Sequence, residues 1–208
     1  MIKVKVCGLN NPENARKIAV LDIDYAGFIF YPASERYVGN KPDPDLFSSV
    51  PRRIKKTGVF VDEAKEKVMK ISGMYSLDVV QLHGNESIEY CREMKNNGLT
   101  VIKVFHIKNE IDQDSVNSWS DVCDYFLFDT ATDSLGGSGK KFNWDFFKEQ
   151  KFKRPFFLGG GIGPEDFNDL KKIQNEMFYA ADINSRFEIS PGIKDYEKIK
   201  SFVEYLKK

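Results

Sequence analysis

Cys7 is the side chain in this sequence best placed to trade a proton with a ligand. It closes the opening stretch, in which Ile2, Val4 and Val6 alternate with Lys3, Lys5 and Cys7 in the period-two pattern of a strand. Gly8 ends that strand, and Asn11-Pro12-Glu13 reads as a helix start, with Asn11 as N-cap and Pro12 at the first helical position. A thiol at the carboxyl end of a strand, close to a helix amino end that can lower its pKa, can serve as a base. Asp129 repeats the pattern after Tyr125-Phe126-Leu127-Phe128: Leu127 and Asp129 share a face, so the carboxylate emerges at a strand end. Taken alone, an aspartate after a strand reads as a cap. Facing a thiol across one mouth, it completes the base and acid that moving a proton between two substrate atoms requires.

Glycine-rich turns supply a second kind of chemistry. Gly136-Gly137-Ser138-Gly139-Lys140, Gly159-Gly160-Gly161-Ile162-Gly163-Pro164 and Asn184-Ser185 follow three successive strand-like runs late in the chain. Glycine lets backbone amides approach a ligand closely, and Pro164-Glu165 reads as the start of a helix whose amino end favours an anion. Gly137, Ser138, Gly139, Gly160, Gly161, Asn184 and Ser185 are therefore the candidate phosphate ligands. The first loop is no Walker motif, because Ser134 and Lys141 occupy the places of its first glycine and its hydroxyl residue. His83, in a turn, reads either as a substrate ligand or as a turn histidine satisfying the backbone, whereas His106 reads as structural or solvent-facing. Two histidines without a clustered carboxylate point to no metal site. Cys91 and Cys123 read as small buried hydrophobes. By strand parity Lys3 and Lys5 point inward, so Lys5 should meet a carboxylate such as Asp182.

The elements that would position these groups are eight strand-like runs: residues 2–7, 25–30, 58–61, 79–82, 101–105, 125–128, 155–158 and 179–183. Nearly all are followed by apolar residues at helical spacing, as in Ile199, Phe202, Val203 and Leu206 of a last helix from about Asp195. Eight units in 208 residues predict an α/β fold, a (β/α)₈ TIM barrel in one domain over residues 1–208. A doubly wound open sheet ranks second, since the Gly-x-Gly-x-x-Gly fingerprint is missing after the first strand. Asp62 reads as a helix cap, and Pro42 to Pro51 as a loop or short helix. Basic and acidic side chains balance at 31 each, which argues against nucleic acid or an acidic membrane as partner. Three cysteines without C-x-x-C spacing fit a reducing cytoplasm, and neither a signal peptide nor a membrane-length apolar run is visible.

Several ordered segments resemble the phosphoribosylanthranilate isomerase family over nearly the whole chain. They are Lys5-Val6-Cys7-Gly8-Leu9, Phe30-Tyr31-Pro32-Ala33-Ser34-Glu35-Arg36-Tyr37-Val38, Val80-Gln81-Leu82-His83-Gly84, Phe128-Asp129, Gly136-Gly137-Ser138-Gly139, Leu158-Gly159-Gly160-Gly161-Ile162 with Pro164-Glu165, and Asp182-Ile183-Asn184-Ser185 through Glu188 to Pro191-Gly192-Ile193-Lys194-Asp195. The resemblance implies that Cys7 is the general base, Asp129 the general acid, and Arg36 the group that grips an anthranilate carboxylate through paired hydrogen bonds. It further implies an Amadori rearrangement of a phosphorylated aldosylamine in tryptophan biosynthesis, without a cofactor, in a monomer or homodimer. Arg186 stands where many relatives carry glycine, and the triple glycine replaces a more usual Ala-Gly-Gly. Two other readings compete: a barrel epimerase acting on a sugar phosphate, and a non-catalytic phosphate-ligand binder on the same scaffold.

Overall fold

A computed structural model of the chain describes residues 1–107, 111–129 and 144–208. Eight parallel strands close into a barrel in strictly sequential order. They are β1 (Lys3–Val6), β2 (Tyr25–Ile29), β3 (Lys55–Phe60), β4 (Val79–Leu82), β5 (Thr100–His106), β6 (Tyr125–Asp129), β7 (Phe156–Gly159) and β8 (Phe178–Ile183). Closure is made by β1 on β8, with Lys5 opposite Asp182 and Val6 opposite Ile183. The connecting helices are α1 (Pro12–Ile18), α2 (Pro44–Ser48), α3 (Lys65–Tyr75), α4 (Ile88–Asn96), α5 (Gln113–Asn117), α6 (Phe167–Lys171) and α7 (Tyr196–Lys207). A short antiparallel pair, β9 (Glu188–Ser190) and β10 (Ile193–Lys194), lies between β8 and α7.

The period-two pattern divides the strands between two cores. Val4, Val6, Ala26, Phe28, Phe60, Val80, Phe126, Phe128 and Leu158 face outward and pack against the helices in the main cluster. Inside the barrel, Tyr25, Val79, Ile102, Val104, Leu127, Phe157 and Ala180 form a second cluster at and below mid-height. The floor is aromatic. Tyr25 meets Phe157 edge-on at 5.1 Å between ring centroids, Tyr125 lies 5.1 Å from Tyr179, and the Tyr25 and Tyr179 hydroxyls share a hydrogen bond of 3.0 Å. Cys7, Ile29 and Val59 form a separate small layer at the other end.

Local signals explain most helix starts. Asn11 caps α1 by accepting from Asn14 N–H at 2.8 Å with Pro12 behind it, and Asp195 caps α7 by accepting from Glu197 and Lys198. Pro44–Ser48 is the short helix left open between Pro42 and Pro51. Two expectations fail. Asp62 does not cap a helix: it adopts a left-handed φ of 48°, its carboxylate accepts from Asn85 N–H, and α3 begins beyond Ala64. Pro164-Glu165 opens no helix either. α6 is five residues long and starts at Phe167, while Asp166 turns back to accept Gly163 N–H at 2.6 Å. Lys3 keeps the parity of Lys5, in register with Ala180, but lies too near the start of β1 to be enclosed. It sits at the lower rim, 43% exposed, and pairs with Asp24 at 2.9 Å. Asp24 also accepts from Val4 N–H and Lys207, which ties the last helix to the first strand.

Candidate active site

Cys7 sits just past β1 and is 5% exposed, at the wall of a cavity of about 220 Å³ in the barrel mouth. Two residues before it, Lys5 is wholly buried and donates to Asp182 at 2.8 Å, as the inward parity requires. Burial opposes a charge on Lys5, but the Asp182 carboxylate and the Cys7 sulfur outweigh it and hold the ammonium above its ordinary range. For Cys7 burial wins and pushes the thiol up, with the Lys5 and Lys194 ammoniums pulling only part of the way back. This corrects the expectation of a thiol lowered by a helix amino end. The neighbouring strand leaves almost no room: a Cβ on Gly27 would stand 2.9 Å from Cys7 Sγ and 3.2 Å from Lys5 Nζ.

Asp129, the last residue of β6, lines the same cavity together with Gln81, His83, Asp182, Gly160, Gly161, Asn184 and Ser185. The base and acid candidates thus share one opening. His83 follows β4 and places Nε2 3.4 Å from Asp129 Oδ2. Its turn is fixed by the buried Glu86, which accepts from Gly84 N–H, from Asp62 N–H at 3.0 Å and from Lys103 Nζ at 2.9 Å. His106 ends β5 directly beside Asp129 in register, 59% exposed, with Nδ1 3.8 Å from the same Oδ2. It is solvent-facing as expected, yet the premise that the histidines lack a clustered carboxylate does not hold. Candidate ligand atoms of His83, His106 and Asp129 all lie within 4.8 Å of one another. The three residues stand 23 positions apart along the chain at the ends of three consecutive strands, and it is the strand register that sets their side chains together.

Arg36 is gripped by Glu188, whose carboxylate takes Nε at 2.9 Å and Nη2 at 2.7 Å. Glu188 also accepts from the buried Lys194 at 2.6 Å, and Lys194 donates at 2.7 Å to Asn184. Burial pushes the Glu188 carboxyl up, but the hydrogen bonds from Arg36 and Lys194 outweigh it and hold it below the usual carboxylate range. Burial lowers Lys194 in turn. Neither Glu188 nor Lys194 was singled out as a site residue from sequence, though both lie in the segment that carried the resemblance. Gly8 explains how close this network comes to the thiol: at φ 80°, a Cβ there would lie 2.8 Å from both Arg36 Cδ and Asn184 Oδ1.

Gly160 and Gly161, at φ 85° and 76°, turn the chain over the mouth after β7, and Asn184 and Ser185 do so after β8. These four residues line the cavity on the side where barrels commonly bind phosphate, between the loops after strands seven and eight. Arg186 points away to pair with Glu165 at 2.7 Å. Gly137, Ser138 and Gly139 lie outside the described residues. Cys91 and Cys123 are fully buried in the outer core, as expected.

A closed eight-stranded parallel barrel, with a polar cavity at its carboxyl mouth that both a thiol and a carboxylate line, gives the class: a (β/α)₈-barrel enzyme. Comparison with known proteins gives the particular family. The family model for N-(5'-phosphoribosyl)anthranilate isomerase matches residues 4–205, and the chain belongs to that family. The N-(5'-phosphoribosyl)anthranilate isomerase of Phocaeicola vulgatus is 42% identical over 204 residues, covering 98% of this chain and 97% of its own. Among solved structures, the Thermotoga maritima phosphoribosylanthranilate isomerase is 34% identical with a TM-score of 0.87, covering 100% of this chain and 99% of its own. A phosphoribosylanthranilate isomerase crystallised with reduced 1-(o-carboxyphenylamino)-1-deoxyribulose 5-phosphate is 31% identical with a TM-score of 0.84, at the same coverage.

Proposed function

We propose that Cys7 and Asp129 carry out the family's isomerisation as general base and general acid. The reaction is the Amadori rearrangement of N-(5'-phosphoribosyl)anthranilate to 1-(2-carboxyphenylamino)-1-deoxyribulose 5-phosphate, the third step from chorismate to tryptophan. Asp129 protonates the furanose ring oxygen and the ring opens to a protonated imine. Cys7 then removes the C2 proton, and the resulting enolamine tautomerises to the aminoketone. The substrate's own nitrogen is the electron sink, so the chemistry calls for no cofactor. Arg36, braced by Glu188 through Nε and Nη2 and with Nη1 3.8 Å from Glu35, is the group that grips the anthranilate carboxylate. Gly160, Gly161, Asn184 and Ser185, with the loop at Gly137-Ser138-Gly139, hold the phosphate, and His83 adjoins the acid. The bound ligand of the crystallised relative, which carries both the carboxyphenylamino and the phosphate groups, supports this assignment.

The observation that carries the reading is the shared cavity of Cys7 and Asp129. It is tested by following the loss of phosphoribosylanthranilate fluorescence. Cys7→Ser and Asp129→Asn are each expected to lower turnover by about 10²- to 10⁴-fold with circular dichroism unchanged. Full activity in both variants would exclude the assigned roles and favour a binding protein on this scaffold. Residues 1–208 act as one domain in this reading, in the cytoplasm, as monomer or homodimer. A Thermotoga maritima relative is described as dimeric. Among the described residues no helix is long and apolar enough to cross a membrane.

A further inference from the structure

We propose that His83, His106 and Asp129 form a binding site for a divalent transition-metal ion of the zinc, cobalt and nickel group. Occupancy of that site would take the acid out of service. His106 and Asp129 are the last residues of β5 and β6, and His83 directly follows β4 with its N–H bonded to Phe60 O at 2.9 Å, so the barrel holds all three backbones. Both imidazoles face the same carboxylate oxygen, His83 Nε2 at 3.4 Å and His106 Nδ1 at 3.8 Å, and the ring centroids are 5.0 Å apart. Ions of this group bind histidine nitrogen and carboxylate oxygen at about 2.0–2.2 Å, which sets ligand atoms roughly 3.4 Å apart around a tetrahedral ion. His83 and Asp129 already match that edge. His106, more than half exposed, has room to swing its ring inward.

The donor set selects the metal. Two imidazoles and one carboxylate on one side of an ion suit borderline metals and leave the other coordination positions for water or ligand in the cavity, whereas magnesium and calcium call for oxygen donors. The surroundings also prepare His83. Gln81 is buried, its amide nitrogen lies 3.4 Å from His83 Nδ1, and its Oε1 has no partner among the described residues. Turning that amide over lets Oε1 accept an Nδ1 proton. This fixes the tautomer that aims the Nε2 lone pair at the ion, the second-layer support that metal-bound histidines ordinarily have. Binding to the neutral imidazoles displaces the Nε2 proton of His83 to Nδ1 and leaves the carboxylate ionised and coordinated. An acid held in that way has no proton to give the ring oxygen. Inhibition rests on the assignment of Asp129 above; the site itself does not.

The test is titration of tag-free protein with Co²⁺ alone, read by visible absorption of the bound ion, in parallel with the isomerase rate and its recovery on chelation. One ion per chain is expected, with the rate falling at least tenfold as the site fills and returning with EDTA. His106→Ala, which removes a ligand outside the proposed catalytic machinery, should lose both the absorption and the sensitivity while retaining the metal-free rate. Asp129→Asn should weaken Co²⁺ binding even though that variant turns over poorly. Binding that survives both substitutions, binding abolished instead by Cys7→Ser, or no binding at hundreds of micromolar Co²⁺ overturns the site. Binding that depends on His106 yet leaves the rate unchanged supports the site and strikes the acid assignment of Asp129 instead.

Discussion

The base sits where its own burial works against it. Cys7 is nearly enclosed, and burial raises its thiol above the ordinary range more than the Lys5 and Lys194 ammoniums bring it down. Its thiolate therefore becomes abundant only toward alkaline pH, and alkylation by iodoacetamide should accelerate with pH up to and past about 9 rather than levelling off near neutrality. Peptide mapping by mass spectrometry would check this, with a plateau at pH 7 counting against the burial argument. A product analogue should protect the thiol. The sequence made Cys7, Asp129 and the Lys5 to Asp182 pair legible because strand parity is a local property, readable from every second residue. It left Glu188, Lys194 and His106 in the background. Lys194 meets Glu188 six positions away across the β9–β10 pair, His106 meets Asp129 through the register of β5 on β6, and Glu188 meets Arg36, 152 positions away, only once the barrel has closed.

At the scale of elements, each side chain depends on the strand beside it. β2 must pass β1 closely enough for Gly27 to lie against the thiol, and a Cβ at that position collides with Cys7 Sγ, Cys7 Cα and Lys5 Nζ. Gly27→Ala is expected to fold, since alanine is tolerated within a strand, but to lose at least tenfold in kcat/KM as the sulfur is displaced. A variant with unchanged kinetics would mean the thiol's position is not critical. All eight strands were legible from apolar runs and spacing, as were the helix starts at Asn11 and Asp195, where the cap chemistry is local. The misread starts at Asp62 and Pro164 share one cause. Each segment is committed to a contact outside the helix pattern, Asp62 with Asn85 across the β4 turn and Asp166 back to Gly163. Side chains that can cap a helix can equally well tie down a loop.

For the molecule as a whole, Asp24 and Glu188 are among the carboxyls that link the fold to acidity. Burial pushes Asp24 up, but hydrogen bonds from Lys3, Val4 N–H and Lys207 outweigh it and hold its carboxyl below the usual range, as Arg36 and Lys194 do for Glu188. The folded chain thus binds these protons more weakly than the unfolded chain. The stability they contribute is present above the unfolded values near 4 and is lost as pH falls through the lower folded ones. The urea midpoint should hold steady from pH 7 to 5 and drop below about pH 4. Asp24→Asn should lower the midpoint at pH 7 and flatten the acid limb. A midpoint that falls equally steeply in wild type and variant would remove Asp24 from the account.

The aromatic floor has its own consequence for turnover. Tyr25, Tyr125, Phe157 and Tyr179 crowd across the lower end of the barrel, and the cavity that holds Cys7 and Asp129 lies at the opposite end, at the mouth. Arrivals and departures must take turns there. The product is accordingly expected to exclude the substrate one for one, so that added product raises the apparent KM without limit and leaves kcat untouched.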